Sequence, residues 1–480
     1  MNVLAYAIFA VPFAATILSI VLPSRLGRAI TAISGLVTAG VIVVFALRVS
    51  QGAPGADALS ALFLLPVAIV YGAVGMYTHW YVRAEHSPNG DVERYRREFL
   101  ALTNAFACAE AVIPLVTNLA GVWVALEITT ILAALLVRLQ GTDGSLEAAW
   151  KYILIASCGL AIGLVGVIVL YASGTIVLGS HYEPQWATYM RVASRLEPDA
   201  VRIAFILALV GFGTKMGLAP MHTWLPDAHG AGPTPTSAML SGILLSDALY
   251  VILRFASIAN AAVGPTMTHR LFFIVGLLSL ALGAFFLLQQ RDIKRMLAYS
   301  SIEHMGIVAC GLAFGSSFAV MGALLHAINH SATKSLAFLS AGRLAHRFDT
   351  REIEGIRGAV ATLPISGTMF MLASLALAGM PPFGTFRSEL MILTGGFESS
   401  TWYVAVVVLA LLLVAFAGIV RWATMLCTGE RAEGVRHGER SVLPALALIG
   451  GFVVVLGLGL ILPAPLNVLL HRGMQIVEGS

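Results

Sequence analysis

Residues 201–222 read VRIAFILALVGFGTKMGLAPMH. The run is long enough to cross a hydrocarbon core of roughly 30 Å as a helix. It nevertheless holds a lysine, Lys215, deep inside, followed at once by Gly217-Leu218-Ala219-Pro220. Proline removes a backbone donor, and in lipid the carbonyls it frees must find partners within the protein, so this helix is expected to break inside the membrane.

The rest of the chain decides between a membrane span and a buried core helix. Of its 480 residues 58% are apolar and only 11% charged, and the mean hydropathy is +0.87. Soluble domains are about 45–50% apolar and about 25% charged, so a soluble enzyme is excluded. The expected fold is all-α, a polytopic membrane protein formed as a single integral domain over 1-480. Apolar runs give fourteen spans: 3-23, 27-48, 59-82, 99-117, 119-138, 149-171, 201-222, 235-256, 270-290, 296-314, 317-342, 361-396, 402-427 and 441-462. The first run has no basic stretch before it and reads as a helix that stays, not as a cleaved signal.

The net charge of +4, from 29 basic and 25 acidic residues, is small and spread over short loops, which excludes nucleic acid as a partner. Most basic residues fall on alternate loops, those of Arg25 and Arg28, Arg94 to Arg97, Arg291 to Arg295, Arg343 to Arg357 and Arg431 to Arg440. The positive-inside rule puts these loops in the cytoplasm and both termini on the opposite side.

A second break is expected in the twelfth span at Gly379-Met380-Pro381-Pro382-Phe383-Gly384. Interrupted helices at matching places in two halves point to inverted repeats around a mid-membrane transport site, here 99-256 and 270-427. Two ordinary proline kinks would look alike; the ionisable residues separate the readings. Glu110, Glu127, Lys215, Asp247, Glu303, His304, His326, His330, Lys334 and Glu389 all fall within spans, where a charge costs about 2.5–3.5 kcal/mol to insert. Acids and bases recurring across so many helices suit proton exchange better than helix packing, which polar contacts support by only about 0.6 kcal/mol each.

His326, His330 and Lys334 are spaced i, i+4, i+8 and stack on one helical face, a ladder about 12 Å long. The two histidines lack a third donor on their helix, so no metal site is read from this spacing. The four cysteines, Cys108, Cys158, Cys310 and Cys427, stand far apart in sequence and offer no cluster for iron–sulfur, nickel–iron or zinc. No glycine-rich nucleotide loop follows a strand. The chain is expected to hold no cofactor and no redox catalytic site, so any redox centre belongs to a partner.

The stretch Thr214-Lys215-Met216 with Ala219-Pro220-Met221-His222-Thr223-Trp224-Leu225-Pro226-Asp227-Ala228-His229, together with Trp123 to Glu127, Ala298 to Gly306, the ladder of span eleven and Pro381-Pro382 before Glu389, resembles the antiporter-like membrane subunits shared by complex I, Mrp antiporters and group 4 membrane-bound hydrogenases. Ser300 to Gly306 and Leu146 to Tyr152 look most like the F component of hydrogenase 4. The resemblance implies a fourteen-helix core with two inverted five-helix repeats and broken helices seven and twelve. It implies a Glu127–Lys215 pair, a link through His326, His330 and Lys334, and an exit at Glu389, with His222, Asp247, Glu303 and His304 on the same path. It also implies a proton- or sodium-translocating subunit in a prokaryotic inner membrane, among other membrane subunits and a peripheral hydrogenase or other redox arm. Relatives carry a basic residue where this chain has Ser246, next to Asp247, so the link between the half-paths is left to water or Asp247. A complex I or Mrp subunit, or a structural anchor for a peripheral arm, are the alternatives.

Overall fold

The computed structural model describes residues 3–54, 56–84, 90–431, 434–439 and 441–479; Arg440 of the basic loops and the end residue Ser480 lie outside them. The first helices are α1 (Val3–Val21), α2 (Ser24–Ser50), α3 (Ala58–Ala84), α4 (Val92–Val112), α5 (Leu119–Arg138) and α6 (Asp143–Leu178). A short α7 (Trp186–Val192) precedes α8 (Pro198–Met216), α9 (Trp224–Ala231), α10 (Thr234–Met239) and α11 (Leu245–Val263). Then come α12 (Thr266–Leu287), α13 (Ile293–Phe314), α14 (Ser317–Phe348), α15 (Ala359–Thr362), α16 (Pro364–Leu377), α17 (Gly384–Phe397), α18 (Trp402–Cys427), α19 (Val442–Leu460) and α20 (Ala464–Glu478).

Among the described residues eleven helical segments are long and apolar enough to span a bilayer. The three further spans read from sequence are the ones too polar or too short for that test: α8 with α9, α14, and α16 with α17. These same segments carry Lys215, the His326–His330–Lys334 ladder and Glu389. The polar residues of α8 and α14, and the break that shortens α16 and α17 to fourteen residues each, set them apart.

Burial sorts the helices into a core and a sheath. The apolar window of α10–α11 is 100% buried and that of α13 is 94% buried, whereas α1, α18 and α19 stand at 28%, 28% and 22%. Exposed Ile, Leu, Val and Phe cover the sheath helices, as expected of side chains that face lipid tails.

Loop contacts divide the molecule into two ends. At one, Ser24 donates to Glu93, Arg96 to the Val82 carbonyl, Lys294 to the Gly232 carbonyl and Arg347 to the carbonyls of Arg436 and Gly438. At the other, Arg254 pairs with Asp57, Asn260 bonds the Val477 carbonyl and Ser316 the Gly395 carbonyl. The first is the end that collects the alternate basic loops.

Two features fall outside the sequence reading. Residues 240–244 form a π-helical turn between α10 and α11, a wide turn often found next to functional residues. The fifteen-residue α20 packs against α3, α14 and α11; its Asn467, His471, Arg472 and Gln475 kept it from registering as apolar.

Candidate functional site

Both expected breaks are present. Helix α8 runs inward from the Asp57 end and stops at Gly217, whose φ of +78° favours a residue without Cβ. The chain turns through Pro220 before α9 continues to the basic end. Helix α16 runs inward from the basic end, stops before Gly379 with φ +67°, and resumes as α17 after Pro381-Pro382. The two broken helices therefore run in opposite senses.

Lys215 occupies the last turn of α8, where the carbonyl end of a helix favours a cation. It is fully buried, and its Nζ donates to the Leu126 carbonyl at 2.6 Å and to Thr130 Oγ1 at 2.5 Å. Glu127, one residue along α5, instead accepts from Ser157 Oγ at 2.8 Å. No Glu127–Lys215 salt bridge closes among the described residues, which departs from the expected pair, although the two charges interact. The departure follows from the carbonyl and hydroxyl of the same α5 turn, which satisfy the ammonium first.

Lys215 also interacts with Glu110 of α4 and Asp247 of α11. All four carboxylate oxygens of that pair are buried without a hydrogen bond, a costly condition for a packing role alone. Sequence reading recognised Glu110 as a buried charge but did not place it on the path. Its partners come from helices α8 and α11, and no spacing along one chain segment joins them.

The second cluster is built by α13, α14 and α17. Lys334 donates to the Leu297 carbonyl at 2.7 Å and to Ser300 Oγ, a socket of the same make as that of Lys215, and it interacts with Glu303. His304 Nδ1 and His326 Nε2 are 2.9 Å apart, and the His304 and His330 ring centroids are 5.5 Å apart. His326 Nδ1 meets Ser388 Oγ at 2.9 Å. Glu389 comes close enough that ligand atoms of His304, His326 and Glu389 all lie within 4.8 Å of one another. The ladder is thus present on α14, but its first rung is completed by residues of two other helices.

Between the clusters stands His229 of α9, quoted in the sequence only as part of the recognisable stretch. It is buried, neither ring nitrogen has a hydrogen bond, and it interacts with Lys334 and His330. No helical spacing marks it, because the preceding histidine lies before the start of α9 at Trp224. His222 itself lies in the break, buried, with no bond to Lys215 or His229 among the described residues. Ser246 meets Ser331 Oγ at 3.2 Å, and Ser241 meets Ser301 Oγ at 2.8 Å, so hydroxyl pairs tie the π-turn helix to α14 and α13 where a basic residue was expected. Along the whole series only its ends, Glu127 and Glu389, are half-buried; the rest are buried.

Residues 116–414 match the family model described as the membrane part of NADH:quinone oxidoreductase and the Mrp antiporter. The chain is 33% identical over 417 residues to the hydrogenase-4 component F homolog of Methylacidiphilum infernorum, covering 85% of each. It is 32% identical to NADH-quinone oxidoreductase subunit N of Desulforudis audaxviator over 72% of this chain and 69% of that one. A chain of the membrane-bound sulfane sulfur reductase, an archaeal respiratory membrane complex, superposes with a TM-score of 0.86 at 23% identity, over 99% of this chain and 98% of that chain.

Proposed function

Because the chain belongs to the NADH:quinone oxidoreductase/Mrp antiporter membrane family, we propose that it is a proton-translocating subunit of a respiratory membrane complex, of the hydrogenase 4 component F type. The observation that carries this reading is the series of buried acids and bases that runs from half-buried Glu127 to half-buried Glu389. Within each cluster the members favour or disfavour one another's charge, so a proton can be handed on by pairing and unpairing. A sodium ion is held by oxygen ligands, whereas this series alternates carboxylates with Lys, whose charge repels a cation, and with His, whose ring nitrogens take a proton in preference to Na⁺.

In this reading residues 99-256 and 270-427 are the two inverted repeats, each with half of the path. The chain's cysteines form no cluster and no disulfide, so the electrons travel in a peripheral hydrogenase or other redox arm. The basic loops face the cytoplasm of a prokaryotic inner membrane, and the ends of the chain face the other side.

The test is reconstitution of the parent complex in vesicles with its electron donor. Lys215→Ala is expected to abolish the electron-driven pH gradient while the chain remains inserted. Lys215→Arg is expected to impair it too, since guanidinium does not release its proton in proteins. An undiminished gradient in both variants, with normal electron transfer, would favour a membrane anchor instead. A gradient that needs Na⁺ in the buffer would overturn the choice of proton.

A further inference from the structure

We propose that His304, His326 and Glu389 form a binding site for a divalent cation of the zinc class, set across the second half of the series. Two imidazoles and a carboxylate with one position left for water is a donor set that Zn²⁺ accepts in tetrahedral geometry. The three ligand atoms come from three helices, α13, α14 and α17, and already lie within 4.8 Å of one another.

The orientation of the rings is the stronger argument. The facing nitrogens are His304 Nδ1 and His326 Nε2, 2.9 Å apart. Zinc–nitrogen bonds of about 2.0–2.1 Å at a tetrahedral angle need about 3.3 Å between them, so an opening of a few tenths of an ångström admits the ion. Metal-bound histidines fix their tautomer through the nitrogen turned away from the ion, and that nitrogen of His326 has such a partner. His326 Nδ1 meets Ser388 Oγ at 2.9 Å, and His304 Nε2 faces Glu303 Oε2 at 3.6 Å. Neither the Glu303 oxygen nor the His304 nitrogen has a hydrogen bond, so the two face each other without bonding. Glu303 and Glu389 together balance a double positive charge.

His330 is the internal contrast. It sits one turn beyond His326 on the same helix and is equally buried, yet both its ring nitrogens are unpartnered and it lies outside the group of three. An ion held by the three would occupy the place where His304 and His326 share a hydrogen bond, and it would stop proton transfer there. That consequence rests on the transport reading; the binding itself does not.

The experiment titrates the full chain, purified with its native membrane subunits and stripped with a chelator, with Co²⁺. Four-coordinate Co²⁺ with imidazole ligands gives an intense visible absorption. One equivalent should produce it and Zn²⁺ should displace it. His326→Gln and Glu389→Gln should each abolish it at one equivalent, Ser388→Ala should weaken binding about tenfold, and His330→Gln should leave it intact. An unchanged titration in His326→Gln and Glu389→Gln overturns the site, as does equal loss in His330→Gln. Zinc-edge X-ray absorption of the unaltered protein decides the matter should a variant fail to assemble. A shell of two imidazole nitrogens with oxygen supports the site, and no retained zinc or any other shell overturns it. None of these readouts uses transport, so failure of the transport reading leaves them interpretable.

Discussion

Lys215 and Glu127 feel each other's charge but bond elsewhere, the lysine to the Leu126 carbonyl and Thr130, the glutamate to Ser157. The pair is open, and the Ser157 hydroxyl is the partner that competes with Lys215 for Glu127. A hydrogen bond to a charged group is worth about 1.5–3 kcal/mol, enough to shift an open–closed equilibrium by about tenfold or more.

Ser157→Ala should therefore release Glu127 toward Lys215 and favour the closed pair. Proton pumping per electron is expected to fall about tenfold, and Ser157→Thr, which keeps the hydroxyl, should restore most of it. The ratio of proton to electron flux in vesicles measures both; equal ratios in Ser157→Ala and the unaltered complex would show that the Ser157 bond does not set the pair.

Lys and Arg are more numerous at one end of the molecule than at the other, and the proposed orientation rests on that. A phosphatase fused after Ser480 should be active, because it is expected outside the cytoplasm, and a fluorescent protein that folds only in the cytoplasm should be dark there. A reporter inserted in the loop after Arg351 should behave the opposite way. The reverse pattern would invert the direction of proton flow.

Most of the fold was legible because a span is a local property. Length and apolar content marked fourteen segments, and glycine with proline marked both breaks, since Gly217 and Pro220 act through their own backbone. The i, i+4 spacing likewise placed His326, His330 and Lys334 on one face. What the sequence withheld is contact between helices. Glu110 with Asp247 and His304 with Glu389 are brought together by packing, and no periodicity records which faces meet. The orientation of Glu127 was hidden too, because Thr130 and Ser157, the hydroxyls that decide it, look like any others in a span. Helix α20 escaped because its buried face is narrow and its length is fifteen residues.

At the end opposite the basic loops, Arg254 is buried and is held by Asp57 through bonds of 2.6 and 2.7 Å, with Ser60 and Tyr250 beside it. Burial pushes the Asp57 carboxyl up, but the guanidinium outweighs this and holds it below the usual range. A carboxyl lowered by folding contributes stability above its unfolded value, about 3.9, and loses it as pH falls through the folded value. Asp57→Asn leaves the guanidinium without its charge partner. The side chain of Asp57 is 41% exposed, so the loss should lie toward the lower end of about 3–5 kcal/mol. A clear fall in the thermal midpoint of the detergent-solubilised protein at neutral pH, shrinking toward pH 3, checks both the size and the sign.

The last prediction concerns the link between the clusters. In the proposed reading two groups compete for it: His229, which interacts with Lys334 and His330, and the Ser246–Ser331 hydroxyl pair. His229 packs between rings, its centroid 6.2 Å from that of Trp224 and 5.5 Å from that of Phe338, so His229→Phe fills the same space and removes only the ring nitrogens. A hydroxyl can pass a proton but cannot store one at neutral pH, whereas an imidazole can do both. His229→Phe should therefore stop electron-driven pumping, and Ser246→Ala should slow it by less than about tenfold, the effect of one neutral hydrogen bond. If His229→Phe pumps as the unaltered complex does and Ser246→Ala does not, protons cross through the π-turn helix, and the serine pair, not His229, takes the place of the expected basic residue.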